Sequence, residues 1–199
     1  MREAPHSGND RLPGVTSGSV AGSTGANLTL EAVLARITLA DKQTLGLYAE
    51  GVSMETRTSR VIADLRQQAC ADRLTLAASF LDAADKLRRA RPGQYRSAIS
   101  RYYYSMYHAA RSVVYFAHGG DDHEKHSVLP TKLPNDFPSS SYWQNELKNA
   151  RQNRNSADYD PYPTSWKHWQ NLAKALSTTA PNFLQLSTQY LKQKGCSHV

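Results

Sequence analysis

Two stretches of the chain concentrate side chains capable of chemistry: RSAISRYYYSMYHAAR at positions 96–111 and ARQNRNSADYDPYP at 150–163. In the first, Ile99, Tyr102/Tyr103, Met106, Ala110, Val113 and Ala117 recur at three- and four-residue steps, the apolar stripe of a helix. Ser97, Arg101, Tyr104/Ser105, His108 and Ser112 make a second stripe on the same helix, polar but rich in aromatic rings. A face that meets only water more usually carries Lys and Glu. In the second stretch Arg151 and Arg154 lie three apart, neighbours on one helical face, and lead into an Asp-Tyr-Asp-Pro-Tyr turn. The guanidinium fork suits gripping a phosphate, or stabilising the charge that develops as a phosphodiester is cleaved. It suits holding a protein partner almost as well, and the bland alternative is salt bridging to Asp158 or Asp160.

The elements that must position these residues follow from composition and spacing. A chain of 199 residues has room for one ordinary domain with extensions, and for a real core. Residues 1–57 hold five Lys/Arg against six Asp/Glu, whereas residues 58–199 hold nineteen against eleven. The basicity therefore belongs to the folded part, and a basic domain draws polyanions, nucleic acid first among them. Many soluble proteins carry such a charge without that role. No apolar run approaches the ~20 residues of a membrane helix, and the first residues lack the order of a signal peptide. The expectation is a cytoplasmic protein with no membrane partner. Cys70 and Cys196 sit in no CxxC motif and are expected to be reduced thiols.

Residues 1–27, rich in Gly, Ser, Thr, Asn and Pro, are expected to form a disordered leader. Residues 28–57 are expected to form a short helical extension, docking on the rest or reaching a partner. There Gly46 and Gly51 are expected to break any continuous helix. The main domain is placed at 58–199. Ile62, Leu65, Ala69, Leu76/Ala77, Phe80/Leu81, Ala84 and Leu87 predict a long helix, with Arg88, Arg89 and Arg91 suiting its C-terminus and Pro92-Gly93 its stop. The next helix runs over 94–117. A polar loop with three prolines occupies 118–140, and a third helix is predicted over 139–154 with a turn at 155–163. A last helix contains Trp166, Trp169, Leu172, Ala173 and Leu176, and Pro181 is expected to kink or split it. The fold class is all-α: an up-and-down bundle of four to five helices, with a long loop between its second and third.

Helix 96–111, the segment HEKHSV at 123–128, ARQNRNSADYD at 150–160 and a final helix through Tyr190 and Leu191 together resemble the HEPN superfamily. These are small helical-bundle domains of prokaryotic toxin, antiviral and RNA-processing systems. The likeness covers roughly residues 60–194. By this resemblance Arg154 is the catalytic arginine position, with Arg151 the runner-up. Ribonuclease members place a histidine four to six residues after that arginine, at a dimer cleft; those positions here hold Asp158, Tyr159 and Asp160. The histidine is missing. Some toxin members also carry a modified tyrosine two residues after it, a position occupied here by Pro161.

Tyrosine, with a reference pKa near ~10, is a poor general base at neutral pH. A carboxylate from Asp158 or Asp160 would repel an RNA phosphate. The bland reading, in which Asp158 pairs with arginine and Tyr159 packs against the helices, is preferred. His108 is expected inside the bundle or at a dimer seam, and is the best substitute for the missing histidine. His126 matches a recurrent loop histidine of the family and is expected to orient that loop. His123-x-x-His126 lacks a cysteine or carboxylate to complete a metal site, so no metal is expected. With no P-loop, GxGxxG, HExxH or GxSxG, no cofactor is expected.

The expected function is a HEPN-like dimerising or partner- or RNA-binding module of a prokaryotic defence or toxin–antitoxin system, without full ribonuclease activity, that forms a homodimer or a hetero-complex. Arg101, Tyr104, Arg111, His126, Arg151, Arg154 and Asn155 are its candidate RNA- or partner-binding residues. The alternative is a metal-independent endoribonuclease using Arg154 at a dimer cleft, with Arg151, Tyr159, Asp158 and His108 as candidate helpers.

Overall fold

The structure, a computed structural model, describes residues 29–121 and 123–199. The leader expected at 1–27 lies outside the described residues. Every regular element among the described residues is helical: α1 Leu30–Leu39, α2 Lys42–Thr58, α3 Ile62–Arg89, α4 Tyr95–Ala117, α5 Ser140–Tyr159 and α6 Trp166–Gln193, with a 3₁₀ turn at Leu129–Lys132. The all-α expectation holds. The chain divides into two compact units between Glu50 and Gly51.

In the first unit α1 begins at Thr29, whose hydroxyl accepts from the Ala32 amide at 3.3 Å. Glu31 in its first turn and Arg36 in its last complement the helix dipole. Asp41 accepts from the Thr44 amide at 2.8 Å at the start of α2, and that bond holds its carboxyl below the usual range. No residue of α1 or α2 is buried. Contrary to expectation, α2 runs unbroken through Gly46 and Gly51. Each glycine costs a helix about 1 kcal/mol relative to alanine, which weakens it without dividing it.

The second unit is a four-helix bundle whose directions follow from pairs of contacts. Ser112 donates to the Cys70 carbonyl at 2.7 Å, and Arg88 Nε donates to the Tyr102 hydroxyl at 3.0 Å, so α3 and α4 are antiparallel. Arg154 meets Tyr104 while Arg96 meets Ala157, so α5 is antiparallel to α4. Gln170 donates to Tyr95, and Cys196, just beyond α6, lies against Gln67. That places α6 parallel to α4 and antiparallel to α3, as an up-and-down bundle requires.

Helix α4 is the axis of the core. Ile99, Tyr102, Met106, Ala110 and Val113 are fully buried, as their spacing predicts, whereas Ala117 is exposed. Ser105 and Ser112, placed by sequence on the polar stripe, are fully buried too. Small side chains let α3 and α4 approach closely, and the Ser112 hydroxyl finds its acceptor across that seam. The segment 118–140 is not simply a polar loop. Leu129, Leu133 and Phe137 are buried at four-residue steps, and the Phe137 and Trp143 rings meet Phe183 at 5.8 and 5.0 Å. Pro181 does not split α6: Ala180 and Phe183, both fully buried, hold the helix on either side of it. Cys70 and Cys196 are free thiols, both buried; burial, and Cys196 beside it, push Cys70 up to about 12.

Candidate functional site

Helix α5 carries Arg154 five residues before its end at Tyr159, so the expected turn at 155–163 begins later than the sequence suggests. The extension has an identifiable cause. Arg96, on the first turns of α4, donates through Nε to the Ala157 carbonyl at 2.7 Å and through Nη2 to the Ser156 and Asp160 carbonyls. Its guanidinium also lies 4.4 Å from the Trp169 ring centroid. A cation thus occupies the negative end of α5 and satisfies carbonyls that a helix end leaves open. Sequence reading missed Arg96, although Arg96, Ser100 and Tyr104 stand at four-residue steps on one face.

Extending α5 puts Arg151, Arg154 and Asp158 on a single helical face opposite that face of α4. Arg154 Nη2 donates to the Tyr104 hydroxyl at 2.8 Å and Nη1 donates to Asn155 Oδ1 at 3.1 Å. Its Nε lies 2.9 Å from Asp158 Oδ2, an ion pair without the alignment of a hydrogen bond. Asp158 Oδ1 in turn accepts from the Ser100 hydroxyl. The guanidinium is 5.5 Å from the Tyr104 ring centroid and 5.4 Å from that of Tyr159. A cleft of about 300 Å³, lined by Ser97, Ser100, Arg101, Tyr104, Arg154 and Asp158, opens here. Arg101 is exposed, with its guanidinium 5.6 Å from the Phe80 ring.

Two histidines approach the same tyrosine. His126 Nδ1 lies 2.5 Å from the Tyr103 hydroxyl, and its ring stacks on Tyr107 at 4.2 Å and stands 6.3 Å from Tyr104. Tyr107 donates to the Glu124 carbonyl at 2.6 Å, and Arg111 pairs with the Glu124 carboxylate at 3.8 Å, which fastens the 123–128 segment to α4. His126 thus packs against α4 through Tyr103 and Tyr107. Burial, then Arg154, Arg151 and Arg111, hold its pKa below the ordinary value. His108 is 6.5 Å from Tyr104 and stacks nearly parallel on Phe80 at 5.3 Å. Burial, then Arg111, Arg73 and His126, push it down to about 4. Both imidazoles are therefore uncharged at neutral pH.

The geometry thus gathers Arg101, Tyr104, Arg154, Asn155 and Asp158, and leaves His108 and His126 one tyrosine away. Tyr159, expected to pack against the helices, is instead largely exposed, with its ring against the Arg154 guanidinium. Arg151 lies near enough to depress His126 and does not enter the Arg154 cleft. His118 and His123 meet edge-on at 5.2 Å, with His123 3.4 Å from Asp121. Among the described residues no three His, Cys, Asp or Glu side chains converge as cation ligands.

The depressed His108 predicts a pH effect with a definite sign. The unfolded chain binds a proton near pH ~6.5 that the folded chain refuses until about 4. Stability is therefore full above that upper value and falls as the pH drops between the two. His126 contributes in the same direction. Urea midpoints at pH ~7, above this window, and at pH ~5, inside it, should separate in the wild type. They should separate less in His108→Phe, which keeps the stack on Phe80. An undiminished pH dependence in that variant would show that His108 titrates normally.

Among known proteins, the family model described as HEPN domain matches residues 71–189, more than half of the chain. No curated protein and no solved structure gives a significant match. No helix among the described residues is long and apolar enough to cross a membrane. The matched span takes in most of α3, the whole of α4 and α5 and nearly all of α6, including both halves of the Arg154 cleft, and the chain belongs to the HEPN family.

Proposed function

We propose that this HEPN domain is a binding module of a prokaryotic defence or toxin–antitoxin system, one that dimerises or docks on a partner protein and holds RNA with little or no cleavage. One observation carries the reading. Arg154 is engaged by its own chain, through Tyr104, Asn155 and Asp158, and the place of the family's histidine is taken by Tyr159, a ring 71% exposed. An arginine so held positions a ligand, and the imidazoles of His108 and His126, set across Tyr104 and held below their ordinary pKa, are weak bases for the ribose proton. The setting proposed is cytoplasmic, where Cys70 and Cys196 stay reduced.

HEPN domains commonly dimerise. Arg101 and the exposed Tyr159 ring, both next to Arg154, suit a second subunit, because rings with a polar handle, mixed with arginine, are enriched at interfaces. Light scattering at micromolar concentration is expected to report about twice the 22.1 kDa chain mass. Arg101→Glu with Tyr159→Ala, both at exposed positions, should return a folded monomer. A monomeric wild type would move the proposal from self-association to a different protein partner.

The second reading, a metal-independent endoribonuclease, draws on the bridge formed by Tyr104. That ring links Arg154 to two uncharged imidazoles at 6.5 and 6.3 Å, His108 and His126. In this reading Arg154, helped by Arg151, stabilises the cyclic-phosphate transition state while one histidine accepts the 2′-hydroxyl proton.

A further inference from the structure

Three clefts of the second unit form a chain of neighbours. The Arg154 cleft shares Ser97 with a second cleft of about 550 Å³ at the start of α4, whose walls include Pro161, Pro163, Trp166 and Trp169. That second cleft shares Tyr95 with a third, of about 610 Å³, lined by Arg88, Arg89, Arg91, Lys167 and Lys174. The sequence gives no hint of the third, since Arg88–Arg91 read as the basic end of one helix and the lysines lie more than seventy positions away.

The character of the groove changes along its length. In the third cleft five cations stand together, and no acidic side chain is among the lining residues. Asp85, behind it, pairs with Arg89 at 2.7 Å and lies 3.8 Å from Arg88, so Arg91, Lys167 and Lys174 carry charge that this carboxylate does not offset. In the middle cleft the Trp166 ring is 62% exposed, 6.4 Å from the Tyr95 ring and 5.6 Å from the Lys167 ammonium. Gly93 makes room for Tyr95 there: a side chain at that position would come within 2.4 Å of the ring. The exposed Trp166 ring, flanked by the half-buried Tyr95 and beside a run of unneutralised cations, matches the two halves of an unpaired nucleotide, a face for the base and charge for the phosphate.

We propose that this groove is the path of a single-stranded nucleic acid, running from the Arg154 cleft across Trp166 and Tyr95 into the Arg88–Lys174 cleft. The proposal rests on the reading that the domain holds RNA, and it adds the course of the strand and the cations that line it. A duplex presents its bases edge-on and stacked, so Trp166 contributes to the binding of single strands only.

The test is fluorescence anisotropy on the full chain with labelled oligo-uridine RNA of about 12 nucleotides, the same length of oligo-thymidine, and an RNA duplex. Lys167→Glu/Lys174→Glu is expected to weaken single-strand binding at least about tenfold and to flatten its salt dependence. Trp166→Ala should weaken single-strand binding about tenfold and leave duplex binding unchanged. All three substitutions are at exposed positions, and circular dichroism checks that the helices persist. Comparable losses for RNA and DNA support the groove and make it indifferent to the 2′-hydroxyl; losses confined to RNA support it as an RNA path. Single-strand affinity unchanged in both variants but abolished by Arg154→Ala would overturn the path and leave the Arg154 reading standing. A wild type that binds neither single strand at low salt would overturn both.

Discussion

Arg96→Ala is expected to destabilise the bundle by about 2–3 kcal/mol, a large fraction of the stability of a domain this size. The side chain donates to three carbonyls at the end of α5 and lies over Trp169 of α6, so one truncation loosens α4 from both α5 and α6. Carbonyls at a helix end are partly wetted, which limits the loss, while the lost cation–π contact and helix-end charge add to it. Arg96→Lys keeps the charge but not the fork and should fall between. Urea unfolding measures the difference, and amide exchange should show the last turn of α5, from Ser156 onward, opening first. A loss below about 0.5 kcal/mol, the size of an ordinary surface change, would mean that α5 holds its length by itself. The functional consequence is separate from stability. Fraying α5 displaces Asp158, and with it the ion pair and the Ser100 bond that hold the Arg154 guanidinium.

What the sequence could and could not reveal follows from the range of each interaction. The helical period of Ile99, Tyr102, Met106, Ala110 and Val113 is a local signal, and all five are buried where it places them. Arg154 and Asp158 are four apart and pair as helix neighbours do. The end of α5 was illegible because it depends on Arg96, some sixty positions away. Ser105 and Ser112 fall by type with the polar, aromatic-rich stripe because composition distinguishes polar from apolar. It does not distinguish a large polar side chain from one small enough to lie inside a close helix–helix seam. The anchors Leu129, Leu133 and Phe137 keep a four-residue step, but Pro130 and Pro134 between them read as loop. Gly46 and Gly51 are a case of propensity overridden by the helix around them. The basic cleft was invisible for the same reason as the cap, since its two halves lie more than seventy positions apart in the chain.

The largest functional effect expected is a negative one. Ribonuclease chemistry without a metal needs a group that takes the 2′-hydroxyl proton and a cation that meets the developing phosphate charge. Arg154 supplies the cation. Tyr159, five positions on, is a phenol, a side-chain type poorly suited to act as a general base. His108 is uncharged at neutral pH, but an imidazole whose conjugate acid forms only near 4 holds a proton weakly and is a feeble base. It is also stacked on Phe80 and half-buried. Incubation of the purified chain with total RNA and with tRNA, in the presence of a chelator, tests this most directly. The expected result is RNA bound but intact, with no products above those of buffer alone. Strong cleavage in chelator that disappears in Arg154→Ala would contradict it and make this domain a ribonuclease.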